Sequence, residues 1–240
     1  MDFSFMAIPE RLSAKISLLG EQKTGKSTLI MELVAKMLKY QGKGSILLDV
    51  GNQYHEIHKI SVAEIKNWGL NINQLQSKHP IVRVVFDKTK LNTRPKQLEA
   101  FAEYNNYVST YVSNSCVIYE DVLSMIDKVP PFSLKAVFYK HRDVCNDIFS
   151  CIHSYADCPS FFFSKTDIFY CKFTKDVDLP KKAIYIPEFK AIRKVLEREN
   201  DRIVNLSENI HSIQYATVEF IADIPFQTQI AETGVPFNQF

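Results

Sequence analysis

The chain is poor in glycine and tryptophan and has no long apolar run. Of its 240 residues only 7 are Gly and 1 is Trp. So few glycines, with charged residues at 23% and hydrophobic residues at 46%, argue against a disordered chain and for a sizeable core. No stretch approaches the roughly 20 apolar residues that span a bilayer, and the N-terminus lacks a signal-peptide pattern. The expectation is a cytoplasmic protein without direct membrane insertion, any membrane contact being made through a partner. Cysteine is scarce as well. Cys116, Cys145, Cys151, Cys158 and Cys171 are odd in number and form no C-x-x-C pair, which argues against a disulfide framework and a zinc site and for free thiols in a reducing compartment. A net charge of +2 leaves nucleic-acid binding to local patches. No zinc finger, helix-turn-helix or RNA-binding signature is present, so sequence-specific recognition is not expected.

What is present centres on Lys15–Leu29. An apolar run stops at Gly20, the pattern Gly20-x4-Gly25-Lys26-Ser27 follows, and helical spacing begins at Ser27. Strand, glycine loop and helix in that order form the context that a phosphate-binding loop requires. Gly20 and Gly25 permit backbone conformations that turn successive amides inward. The helix N-terminus adds partial positive charge there. Lys26 can reach β- and γ-phosphates, and the Ser27 hydroxyl can hold Mg²⁺. The expected nucleotide contacts are therefore Gly20, Glu21, Gln22, Lys23, Thr24, Gly25, Lys26, Ser27 and Thr28, with ATP and Mg²⁺ as ligands.

Strand-like and helix-like segments alternate along the chain. Strands are expected at 14–20, 45–50, 81–86, 116–119, 147–153, 168–173 and 211–221. Helices are expected at 27–40, 60–68 (capped by Ser61), 95–112, 133–144 and 187–200, with a short turn or helix at 159–164. Such alternation predicts an α/β domain with a mostly parallel central sheet and helices on both faces. Residues 1–13 read as an N-terminal arm, 14–222 as the domain and 223–240 as a tail.

A phosphate loop needs an acidic partner at the end of a neighbouring strand. Cys116-Val117-Ile118-Tyr119 runs into Glu120-Asp121. Either Glu120 faces the metal while Asp121 polarises water, or Asp121 binds metal alone. The first is favoured, because Glu120 directly follows the apolar run. Asp49 also ends a strand and is assigned a supporting role. His153 ends the strand after the one that runs into Glu120-Asp121, where a polar side chain can sense the γ-phosphate. Arg142, in a helical stretch, is the expected trans-acting finger, with Arg94 the second choice. Lys88, Lys90, Arg94 and Lys96 form the densest basic loop, suited to phosphate contacts that read no sequence. Lys181-Lys182 is a weaker choice.

This layout, over roughly residues 14 to 175, resembles the FtsK–HerA superfamily of ring-forming ATPases. The compact viral genome-packaging ATPases and the Zot-like phage proteins are nearest in style. The resemblance implies a hexamer that hydrolyses ATP between subunits and moves DNA through its channel, with a capsid or membrane partner, in a host cytoplasm or a virion. Three positions depart from the pattern. Glu120-Asp121 stands for the usual Asp-Glu, His153 for the usual Gln, and Lys23-Thr24 precedes the second glycine. They suggest a divergent member from a phage or mobile element. Other readings are a nucleotide or nucleoside kinase, which wants an arginine-rich lid, and a nucleotide-binding scaffold without turnover. A GTPase is a further one, since Ser164-Lys165-Thr166-Asp167 approximates Asn-Lys-x-Asp.

Overall fold

The computed structural model describes residues 13–21, 23–70, 78–87, 89–126, 129–175, 186, 189–206 and 217–221. The expected arm (except Ser13), the tail, Gln22, Lys88 and Lys181-Lys182 lie outside them. The strands are β1 (Lys15–Leu19), β2 (Gly44–Leu48), β3 (His58–Ile60), β4 (Ile81–Val84), β5 (Ser115–Tyr119), β6 (Asp147–Ile152), β7 (Ile168–Cys171) and β8 (Val218–Ile221). The helices are α1 (Lys26–Gln41), α2 (Ile65–Leu70), α3 (Arg94–Tyr111), α4 (Phe132–Lys140), α5 (Ser160–Lys165) and α6 (Phe189–Leu206). All eight strands join one sheet in the order β3-β4-β2-β5-β6-β1-β7-β8. Every pairing is parallel except β7 with β8.

The parallel strands are apolar on both faces because both faces are covered. Alternate residues of β5 go to opposite layers. Cys116 and Ile118 pack with Leu29, Ile30, Leu33 and Val34 of α1, while Val117 and Tyr119 pack with Phe101 and Tyr104 of α3. Buried residues of α2, α4, α5 and α6 join the α3 layer. Tyr119 meets Phe101 and Tyr104 edge to face, and its hydroxyl donates to Asn105 Oδ1 at 2.7 Å, so the buried phenol is satisfied.

Three local signals decide the element ends. Gly42 (φ 65) closes α1, its N–H donating to Leu38 O at 3.1 Å. Ser61 and Glu64 form a reciprocal capping box. Pro95 occupies the first turn of α3. The structure departs from expectation at three places. β3 occupies His58–Ile60, a strand too short to show a period of its own. The helix expected through Val144 ends at Lys140, and Arg142 lies on the turn after it. The last strand is confined to Val218–Ile221 among the described residues.

The amino ends of the strands are held together by charge. Lys15 Nζ lies 3.1 Å from Asp167 Oδ2 and 3.2 Å from His141 Nε2. Lys43 pairs with Asp147, which also accepts Ala14 N at 2.8 Å. Because Lys15 can only donate, His141 Nε2 accepts, which leaves Nδ1–H to donate to Phe138 O at 2.8 Å. The ring is therefore neutral. Burial first, and then the Lys15 charge, lower its pKa to about 4. Between that value and the ordinary ~6.5, the unfolded chain binds the proton and the folded chain does not, so stability is lost as pH falls. We expect His141→Gln to remove about 2 kcal/mol of the stability loss between pH 7 and pH 4.5, measured by urea unfolding. Equal losses in both proteins would contradict this.

Candidate functional site

The parallel register brings the carboxyl ends of β1, β5 and β6 to one edge. Leu19 pairs with Ile152, so Gly20 and His153 leave the sheet side by side, and Tyr119 pairs with Ser150, so Glu120 leaves it level with Cys151. β6 stands between β1 and β5. The acid-bearing strand is thus second from the loop strand, not next to it as the sequence suggested. A cleft of about 770 Å³ opens there, lined among others by Lys23, Lys26, Ser27, Glu120, Asp121 and His153. Gly25 and Thr28 line it as well.

The loop has the backbone that its glycines permit. Gly25 (φ 83) is left-handed and begins α1, with no side-chain cap and no acid in the first turn. The helix thus presents uncapped amides and an unopposed dipole to the cleft. Lys23 (φ 63) is left-handed too, a strained position for a residue with a Cβ. At Gly20 the need is space: a Cβ would come within 2.8 Å of Lys172 Cβ and 3.3 Å of its carbonyl carbon. Lys172, at the end of β7, therefore buttresses the loop from behind. Burial lowers its ammonium to about 8, against the pull of Glu32 and with the added push of Lys26.

Lys26 Nζ donates to Gly20 O and Glu21 O, both at 2.6 Å, and Thr24 Oγ1 donates to Glu21 O at 2.8 Å. Burial lowers the Lys26 pKa, while Glu120, Asp121 and Glu21 pull it back up. The Glu21 carboxylate points away from these contacts, accepting Lys175 N at 2.6 Å.

Opposite the loop, Glu120 is only 5% exposed. Its Oε1 accepts Ser27 Oγ at 2.8 Å and its Oε2 accepts Tyr54 OH at 2.8 Å. The Cys151 thiol approaches Oε2 at 3.9 Å. Burial, and then Glu120, push the Tyr54 phenol far above its ordinary pKa, so it is a donor at neutral pH. Asp121 is more open. Its Oδ1 lies 3.7 Å from His153 Nε2. His153 Nδ1 is buried without a hydrogen-bond partner among the described residues. Burial and the Lys26 charge lower the His153 pKa, against Asp121 and Glu120, so the ring is neutral at pH 7.

Asp49 is fully buried and accepts Gln53 N at 2.9 Å, Tyr54 N at 3.1 Å and Arg83 Nη1 at 3.2 Å. With these donors on its carboxylate, it is a support for the 50–57 loop. Arg94 donates to Ser124 O at 2.6 Å and Ile126 O at 2.9 Å, bracing the turn behind Asp121. Its guanidinium is thus engaged within its own subunit. Thr89, Lys90 and Lys96 are exposed at the carboxyl end of β4, on the cleft side of the sheet. Arg142 is exposed at the amino end of β6, roughly 20 Å along the strand from the loop, and takes no part in its own subunit's cleft. Asp167 sits at the amino end of β7, paired with Lys15, so Ser164–Asp167 cannot read a base in this cleft. Sequence reasoning missed Tyr54, Cys151, Gln53 and Lys172. Asp49-Val50-Gly51-Asn52 at a strand end was the one signal that a functional loop followed.

Donor chemistry fits Mg²⁺. A hydroxyl and a carboxylate oxygen, Ser27 Oγ and Glu120 Oε1, face the phosphate loop together, and a hard cation that keeps several waters and phosphate oxygens needs few protein ligands.

The strand order, the loop between β1 and α1 and the acid after β5 define a P-loop NTPase fold. Among solved structures, the chain is similar to the genome packaging NTPase B204 from Sulfolobus turreted icosahedral virus 2. Against its complex with ATP-gammaS the TM-score is 0.55 at 17% identity, over 88% of this chain and 93% of that one. Against its AMPPCP complex the TM-score is 0.55 at 16% identity, over 89% and 94%. B204 from Sulfolobus Turreted Icosahedral Virus, described as a DNA-packaging ATPase, gives 0.53 at 14% identity, over 88% and 93%. No protein-family model matches the chain, and no curated protein matches it. At this identity the likeness is one of fold, and it bears out the expected α/β architecture.

Gly20→Ala should cost roughly 1–3 kcal/mol by urea unfolding, because the atoms it meets are backbone and Cβ rather than a flexible side-chain end. A change below about 0.5 kcal/mol would contradict the close packing of Lys172 on the loop.

Proposed function

We propose that the protein is an ATP-hydrolysing motor that moves DNA, of the genome-packaging type, working as a ring. The observation that carries the hydrolase reading is the cleft itself: one face is Lys23, Gly25, Lys26, Ser27 and Thr28, the other is Glu120, Asp121 and His153. The packaging reading is supported by the fold likeness to B204 over most of both chains.

In this reading the loop amides and Lys26 bind the β- and γ-phosphates. Lys26 exchanges the carbonyls of Gly20 and Glu21 for phosphate oxygens. Ser27 and Glu120 would hold the metal, which when bound neutralises charge on the phosphates. Asp121, with its carboxylate open to the cleft, orients the attacking water and receives its proton. Neutral His153 donates a hydrogen bond toward the γ-phosphate. A neighbouring subunit supplies Arg142, and Thr89, Lys90 and Lys96 on the cleft side contact DNA phosphates without reading sequence.

Lys26→Ala should lower ATP hydrolysis by about 10²-fold or more, whereas Asp121→Asn should do so while ATP remains bound. Normal turnover in Lys26→Ala would overturn the site. ATPase rate with and without DNA, measured beside the mass of the assembly in ATP, tests the motor. DNA stimulation of a hexamer is expected, and an unstimulated monomer would contradict it. If Arg142 acts in trans, mixing Arg142→Ala with Lys26→Ala subunits should restore part of the activity, and no rescue at any ratio would remove it from the mechanism.

A further inference from the structure

Glu120 is oriented by a residue that lies outside both the phosphate loop and the acid-ended strand. Its Oε2 accepts the Tyr54 hydroxyl at 2.8 Å, while Oε1 accepts Ser27 Oγ at 2.8 Å. A carboxylate held at both oxygens cannot rotate, so Oε1 stays aimed at Ser27. Tyr54 is itself fixed. Its ring is 7% exposed in the α1-side layer, and its N–H donates to Asp49. Arg83 locks the same loop at both ends, donating to Asn52 Oδ1 at 2.7 Å and to Ile57 O at 3.0 Å. Val50, Gly51 and Gln53 of this loop line the cleft, so the segment that carries Tyr54 also meets whatever occupies it. Asp121 has no hydroxyl donor among the described contacts, and its neighbour is His153 at 3.7 Å.

Resting on the functional reading above, we propose that Tyr54 is a positioning residue that keeps Glu120 turned to Ser27 and the metal, and so leaves Asp121 as the carboxylate that acts on water. A tyrosine that merely satisfies its own hydroxyl would show the same hydrogen bond, so the test must separate orientation from stability. Tyr54→Phe removes one oxygen and keeps the ring in the core. Binding of a fluorescent ATP analogue by the full chain is measured across a Mg²⁺ series and in EDTA, in Tyr54→Phe, Glu120→Gln and the double variant.

We expect Tyr54→Phe to raise the Mg²⁺ needed for half-maximal binding by about 10-fold, as loss of a hydrogen bond to a metal-holding carboxylate does, with EDTA binding unchanged. In the Glu120→Gln background the same change should shift that requirement less than about 2-fold, because the two residues act as a unit. A wild-type Mg²⁺ requirement in Tyr54→Phe, or an equal shift in both backgrounds, overturns the proposal and leaves the functional reading intact. Nucleotide binding that ignores Mg²⁺ in the unmodified protein overturns both.

Discussion

A carboxylate that is 5% exposed must have its oxygens met by hydrogen-bond donors. Glu120 meets that condition with donors from three separate elements: Ser27 at the start of α1, Tyr54 from the loop after β2, and Cys151 on β6. None of these elements is near β5 in sequence. The sheet order brings them together, with β2 on one side of β5 and β6 on the other, and β1 beyond β6. The cleft therefore depends on strand register. A slip of one residue would exchange the two faces of β5, turning Val117 and Tyr119 toward α1 and Cys116 and Ile118 toward α3.

The two edges of the sheet divide stability from chemistry. At the amino edge, Lys15, Lys43, His141, Asp147 and Asp167 pair closely. Buried pairs of this kind are weak sources of net stability, and they act by tying strand starts in one arrangement. At the carboxyl edge the charges are left facing a cleft. Among the described residues, Lys26 is held by carbonyls of its own loop, and the nearest charged partner of Asp121 is His153 at 3.7 Å. An anion and a cation entering together would complete both sides.

Much of this was legible in the sequence. Spacing fixed the loop, because Gly20, Gly25, Lys26 and Ser27 have roles that few other residues could fill. The parallel sheet followed from continuous apolar runs such as Val117–Tyr119, and the acids were found because they end such a run. The misses share a cause. Tyr54 and Lys172 act across the sheet, and no local pattern marks a tyrosine that reaches a carboxylate 66 positions away. Asp49 stands out in the sequence as a strand-ending acid, whereas Tyr54, whose N–H it accepts, carries no such mark. Nothing local marks that the Arg94 guanidinium reaches the carbonyls of Ser124 and Ile126, some 30 positions on. β3 was invisible because three residues carry no period.

The central claim is that Gly20–Thr28 and Glu120 form two halves of one nucleotide and metal site. A crystal structure with Mg²⁺ and a non-hydrolysable ATP analogue tests it most directly. The account predicts the triphosphate on the Gly20–Thr28 backbone, with Lys26 Nζ moved from the carbonyls of Gly20 and Glu21 to phosphate oxygens. The metal would be held by Ser27 and Glu120, with Tyr54 still on Glu120. A nucleotide bound elsewhere, or one bound here with Lys26 still on its own loop, would contradict it.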